Sequence, residues 1–273
     1  MVYRDAPVGS SRLTFAARTD TGPLRTVNED AFLVLALRDT SPFTSPPNEA
    51  RHAGRIETSD GILLAVLDGL GGSRGGTEAC RIAIEAIRRR VRAGIGTGQA
   101  AVRRTAIEAV EEANRAVWRA STTLISLTGI GATITAAAIA GRWVHLVHAG
   151  DTRAYLLRDG HLQQITRDDS LLNEARDHGV PFEEIQHIPS TVLTRALGMN
   201  ADLTAADTSI ELDQGDLLLL CSDGVYRFLS DAAMEALLRR HPEPSDGCEA
   251  LVESAIRGHS SDNLTALLVR FTP

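Results

Sequence analysis

The sequence contains no lysine, so arginine supplies all 28 basic residues, against 35 acids and a net charge of -7. No Gly-Lys-Ser/Thr phosphate-binding loop can therefore exist. An acidic balance of this size also argues against a general nucleic-acid binder. Cysteine is scarce. Cys80, Cys221 and Cys248 are odd in number, widely separated and without a CxxC pair, so neither a disulfide framework nor a zinc site is signalled and a reducing cytoplasm is expected. No apolar run approaches the roughly 18 residues of a membrane span, and Met1 to Arg18 lacks the basic start and apolar stretch of a signal peptide. No membrane insertion and no export are expected. Internal repeats, linkers and low-complexity tracts are absent as well. With 273 residues, 43% hydrophobic and 23% charged, the chain can bury a large core, and residues 1–273 are expected to form one domain.

Apolar runs bounded by Gly, Pro, Asn or Asp predict strands at Leu13 to Ala17, Ala31 to Leu37 and Ile62 to Leu67. Between the last two, Arg38 to Asp60 holds three prolines without periodicity and reads as a long exposed loop. Helical spacing follows in Cys80, Ile84, Ile87 and Val91 and again in Val102, Ala106, Val110, Ala113 and Val117, separated by a Gly94 to Gly98 break. Strand signals return at Ala132 to Ala140, Val144 to His148, Arg153 to Leu157 and Leu162 to Thr166, with turn residues at Gly141 and Asp159-Gly160, which suggests an antiparallel meander. Ser170 to Met199 mixes short helical pieces with polar stretches and is expected to lie over the sheet as a mobile flap. Strands at Thr208 to Leu212 and Asp216 to Cys221, helices at Asp231 to Arg240 and Asp246 to Arg257, and a strand at Asn263 to Phe271 complete the chain. Without regular βαβ alternation, this order predicts an α+β sandwich, helices covering packed antiparallel sheets.

Four apolar strands end or begin at an aspartate: Asp68-Gly, Gly-Asp151, Asp223-Gly and Asp262-Asn. One Asp-Gly is an ordinary turn. Four on the strands of one sandwich, with Glu29 and Asp30 opening a fifth, would repel one another at a shared rim unless protons or cations intervene. Oxygen ligands without His or Cys suit magnesium or manganese. Paired ions of that kind activate water and clamp a phosphoryl group. Arg25, four residues before Glu29, offers a planar fork for a phosphate, or else a surface ion pair.

The ordered set Arg25-x-x-Asn28-Glu29-Asp30, Asp68-Gly69-x-Gly71-Gly72, Gly131-x-Thr133, Gly150-Asp151-x-Arg153-x-Tyr155, Leu193-Thr-Arg-x-Leu-Gly198, Ser222-Asp223-Gly224 and Ser261-Asp262-Asn263-x-Thr265 resembles the metal-dependent serine/threonine protein phosphatases of type 2C, in the bacterial form. Each motif alone is weak; the ordered set, from about residue 12 to 271, is specific. The resemblance implies a four-layer αββα sandwich with a dinuclear Mn/Mg site between its sheets. It implies that Asp68 bridges both ions, that Asp223 and Asp262 hold one, and that Glu29 and the Gly69 carbonyl hold the other. It further implies that Arg25 binds the substrate phosphate, that Asp151 with Asp223 holds a third ion, and that the partners are phosphoproteins made by serine/threonine kinases, met by a monomer.

Leu70 departs from the family, since animal and plant members carry a histidine acid there and bacterial ones often a methionine; leucine cannot move a proton. Ser73, Thr77, Thr152 and Asp169 also depart. Two other readings meet obstacles. Gly71-Gly-Ser73-Arg-Gly75 fits a G-x-S-x-G nucleophile elbow, yet Asp68-Gly-Leu-Gly-Gly separates Ser73 from its strand, and an esterase leaves Asp151, Asp223 and Asp262 unexplained. A phosphatase-like binding module would be expected to have lost acidic ligands, and all five side-chain positions keep them.

Overall fold

The computed structural model describes residues 12–37, 42–44, 50–59, 61–72 and 75–272. Its strands are β1 (Arg12–Asp20), β2 (Ala31–Ala36), β3 (Pro42–Thr44), β4 (Ala50–Glu57), β5 (Ile62–Leu70), β6 (Gly131–Ala140), β7 (Trp143–Ala149), β8 (Arg153–Arg158), β9 (His161–Gln164), β10 (Ala206–Glu211), β11 (Leu217–Cys221) and β12 (Leu264–Thr272). The helices are α1 (Gly75–Arg92), α2 (Gln99–Thr123), α3 (Leu171–Asp177), α4 (Phe182–Ile185), α5 (Asp223–Tyr226), α6 (Asp231–Arg240) and α7 (Pro244–Arg257).

Two six-stranded sheets form, in the orders β4-β1-β12-β11-β8-β9 and β10-β7-β6-β5-β2-β3, with antiparallel pairing throughout. Strand β5 explains why the layers stack. Side chains alternate between faces along a strand, so Ile62, Leu64 and Val66 enter the core between the sheets, while Leu63, Ala65 and Leu67 meet Ala79, Ala83 and Ile87 of α1. A strand covered on both sides reads as one continuous apolar run. The opposite sheet does the same, its Leu217, Leu219 and Leu268 packing on Met234, Leu238, Leu251 and Val252 of α6 and α7. The result is the αββα sandwich.

Two expectations are corrected. The stretch Arg38 to Asp60 is not one long loop, because β4 lies within it and pairs with β1 from Arg12↔Glu57 to Thr19↔Ala50, and β3 pairs with β2. As an edge strand, β4 owes its place to the backbone ladder and to polar contacts such as Arg51 to Glu249 at 3.2 Å, which leave little apolar pattern to read. Gly54 accommodates the Phe15 ring, whose Cζ lies 2.6 Å from where a Cβ would sit. Residues 38–41, 45–49 and 60 of that stretch lie outside the described residues. Nor do β6 to β9 form a single meander. The β6–β7 hairpin belongs to one sheet and the β8–β9 hairpin to the other. The chain crosses between them at Gly150-Asp151-Thr152, where Gly150 takes a φ of 116° that favours glycine. A Cβ there would also stand 2.4 Å from Thr133 Cβ.

Candidate active site

Antiparallel pairing brings alternate strand ends to the same rim. Asp68 lies two residues before the end of β5, Glu29 and Asp30 precede β2, Asp151 sits in the crossing from β7 to β8, Asp223 follows β11, and Asp262 precedes β12. Asp223 opens the single turn α5, too short to leave a helical period in the sequence. Gly224 makes the close approach of this turn to the start of β12 possible, since a Cβ would lie 1.9 Å from the Asn263 carbonyl oxygen and 3.4 Å from Asp262 Cβ. On the other side of the cleft, a Cβ on Gly76 would lie 2.6 Å from Glu29 Oε1 and 2.7 Å from the Gly69 carbonyl oxygen. The absence of a side chain at Gly76 thus leaves those two oxygens adjacent. The Gly76 N–H, at the start of α1, donates to Glu29 Oε1 at 3.2 Å, an anion held at a helix N-terminus.

A hydrogen-bonded frame joins the two sheets beneath these carboxylates. Asn263 accepts the Glu29 N–H at 2.8 Å and donates to the carbonyls of Thr21 and Val27. Asn28 donates to Thr19 Oγ1 at 2.8 Å, and that hydroxyl is 2.7 Å from Thr265 Oγ1. Ser222 Oγ accepts the Thr265 N–H and donates to Asp30 Oδ2 at 2.6 Å.

Burial is the first cause of the unusual acidity of the cluster. It pushes the Asp68 carboxyl well above the ordinary range, and the charges of Asp30, Asp223, Asp151 and Asp262 add to the rise. Asp30 is raised to about 7 by burial, against the hydroxyl of Ser222 that donates to it. Asp223 rises to about 6, again by burial, opposed by Arg227 and reinforced by Asp151 and Asp262. Burial also raises Glu29 and Asp151. These are like charges pressed together in a poorly solvated place, the condition a cation or a proton relieves.

Two arginines supply positive charge. Arg25 Nη2 donates to Asp262 Oδ2 at 2.8 Å, and its Nε to the Ser261 carbonyl at 3.3 Å; its side chain is 47% exposed. Arg227, which the sequence reading did not single out, donates through Nη2 to Asp151 Oδ2 at 2.9 Å and lies with Nε 3.1 Å from Asp223 Oδ2. With side chains so disposed, no three His, Cys, Asp or Glu groups among the described residues converge tightly enough to hold a metal ion. The donors nevertheless fit a hard divalent cation in kind: all are oxygens, they repel one another, and the glycine gap at Gly76 presents the Glu29 carboxylate and the Gly69 carbonyl together. Ser73 lies outside the described residues. The three cysteines are free and buried, and among the described residues no helix is long and apolar enough to cross a membrane.

The sandwich of two antiparallel sheets with helices outside is the fold of solved serine/threonine phosphatases. The family model described as Protein phosphatase 2C matches residues 46–254, and the chain belongs to that family. It is 35% identical to the serine/threonine protein phosphatase PstP of Mycobacterium tuberculosis over 94% of its own length, though it spans only 44% of that relative. It is 29% identical to the serine/threonine phosphatase stp of Listeria monocytogenes, covering 92% of this chain and 93% of the relative. A crystal structure of the PstP catalytic domain in complex with two manganese ions superposes with a TM-score of 0.76 at 32% identity, covering 97% of this chain and all of that one.

Proposed function

We propose that this chain hydrolyses phosphoserine and phosphothreonine in phosphoproteins, using two divalent ions, manganese or magnesium. The observation that carries the reading is the set of mutually repelling, buried and half-buried carboxylates drawn from separate strand ends to one rim. In this reading Asp68 would be shared by both ions, Glu29 and the Gly69 carbonyl would hold one, and Asp223 and Asp262 would hold the other. When bound, the ions supply Lewis-acid stabilisation of phosphoryl charge and an activated water nucleophile. The manganese pair in the PstP catalytic domain supports this assignment.

The protein's own groups do the rest. Arg25, half-exposed and held to Asp262 by one side-chain contact, is free to turn its fork toward a phosphate and orient it. Leu70, the last residue of β5, brings no proton to the departing alkoxide, which takes one from water or leaves with more charge. No nucleophilic side chain is needed, and no phosphoenzyme forms. The substrates are products of serine/threonine kinases, and the enzyme works as a cytoplasmic monomer without nucleic acid. The test is release of phosphate from a phosphothreonine peptide by the purified chain in manganese. Turnover is expected, abolished by EDTA and restored by excess metal. Turnover insensitive to EDTA, or none at any metal concentration, would overturn the assignment.

A further inference from the structure

Asp151 lies in the crossing from β7 to β8 and Asp223 just after β11, and their carboxylates are joined by one residue, Arg227. Its Nη2 donates to Asp151 Oδ2 at 2.9 Å, and its Nε stands 3.1 Å from Asp223 Oδ2. The two carboxylates and the guanidinium between them are largely withdrawn from solvent, with side-chain exposures of 7%, 13% and 31%. We infer that Arg227 is a built-in cation that takes the place a third divalent ion would fill between Asp151 and Asp223, so that the cleft holds two ions and not three. The inference rests on the dinuclear reading of the cleft.

The arginine is fixed from several directions. Its backbone N–H donates to the Asp223 carbonyl at 3.0 Å, which sets the guanidinium one helical turn after the carboxylate it reaches back to. The preceding residue, Tyr226, donates through its hydroxyl to the Asp151 carbonyl at 2.9 Å, so the same short turn grips both the backbone and the side chain of Asp151. Arg153 then covers Tyr226 with its guanidinium 3.7 Å from the ring centroid. Arg153 is itself held by Asp168 at 2.8 and 2.7 Å. Arg25 makes the contrast: it touches Asp262 through one nitrogen and is 47% exposed, which suits a group that must swing to a phosphate.

A divalent ion entering between Asp151 and Asp223 would have to break both charge-assisted contacts of Arg227 and then sit beside its positive charge. Each such contact amounts to about a tenfold or larger change in an equilibrium constant, so the guanidinium weakens a third ion by at least about 100-fold. Arg227 is therefore a positioning residue. It fixes the Asp223 carboxylate and denies Asp151 a metal of its own.

The experiment counts manganese ions bound to the full chain by isothermal titration calorimetry and locates them by anomalous scattering from crystals. The wild type should bind two ions, and Arg227→Gln a third between Asp151 and Asp223, with a dissociation constant at least about 100-fold below any third event in the wild type. Adding Asp151→Asn to Arg227→Gln should remove that ion again. Arg227→Lys, which keeps the charge, should stay at two and decides the matter if the glutamine variant does not fold. A third ion in the wild type at the same manganese concentration, or three ions in Arg227→Lys, would overturn the inference. A folded Arg227→Gln still limited to two would do the same. A wild type that binds no manganese while Arg227→Gln binds one would instead remove the dinuclear reading and leave Arg227 in its role; no binding by either would remove both.

Discussion

Replacing Asp223 by asparagine should stabilise the metal-free protein and destabilise it, relative to the wild type, once manganese is added. The carboxyl is raised from its ordinary 3.8 to about 6 by burial, a value that already includes the pull of Arg227. A folded value above the unfolded one means that the charge is tolerated better in the unfolded chain. The resulting destabilisation is absent below pH 3.8, grows as pH rises, and is complete above pH 6. At pH 8 it amounts to about 3 kcal/mol. At pH 4.5, where the folded group is almost wholly protonated, the same linkage leaves about 1 kcal/mol. Asparagine keeps the shape and removes the charge, but it weakens the bond from the Gly224 N–H that favours the carboxylate, so a gain of about 1 to 3 kcal/mol is expected in EDTA at pH 8. At roughly 2 °C per kcal/mol for a chain of this size, Tm should rise by about 2 to 6 °C, and the difference should shrink toward pH 4.5. His145 and His148, both held toward the neutral form by burial, lose stability on acidification in the two proteins alike and cancel. In manganese at about 1,000 times Kd, the wild type should gain about 4.1 kcal/mol per ion, and the variant forfeits this for the ion Asp223 would hold, so the order of Tm values reverses. The assay is thermal unfolding by circular dichroism at both pH values with EDTA or manganese. A variant less stable than the wild type in EDTA at pH 8, or one with an undiminished manganese shift, would refute the reasoning.

Arg25→Ala removes a charge-assisted hydrogen bond to phosphate, on the order of 1.5 to 3 kcal/mol, so kcat/KM should fall by roughly 10- to 150-fold while manganese affinity holds or improves because Asp262 loses its competing partner. Loss of manganese binding by calorimetry would make Arg25 structural instead. Because Leu70 donates no proton, log kcat across substituted phenyl phosphates should fall clearly as leaving-group pKa rises, and Leu70→His should flatten the slope. A flat wild-type series under single-turnover conditions would mean that another group already acts as the acid.

The runs that became β2, β5, β11 and β12 were legible because strands covered on both faces leave few polar positions to confuse the pattern. Helix α6 was read to its boundaries, Asp231 and Arg240, from an amphipathic stretch. Edge strand β4 was not legible, since it presents Arg51, His52 and Arg55 and depends on pairing with β1, a partner more than thirty residues earlier. Which sheet a strand joins was hidden too. A Gly-Asp turn after β7 reads the same whether the chain returns to its own sheet or crosses to the other. The candidate ligands were legible because an aspartate at the end of an apolar strand is a local signal. Arg227 was not, because its meaning lies in Asp151, 76 residues away in sequence.

Asp30 shows why the cleft keeps its shape without help from ions. It is 5% exposed, and burial raises it to about 7, and it is not among the candidate ligands. Its partner is Ser222, which donates to it and at the same time accepts the Thr265 N–H. Asp30 precedes β2 in one sheet, Ser222 follows β11, and Thr265 lies in β12 of the other. That one carboxylate therefore ties the two sheets at the rim, immediately beside Glu29 and Asp223. Buried polar groups are worth keeping only when they are satisfied, and here the satisfaction runs through the residues flanking the candidate ligands. The carboxylates that repel one another are held by a frame anchored in both sheets, so the repulsion cannot be relieved by moving apart. It is relieved instead by protons taken up on the carboxylates or by cations held among them.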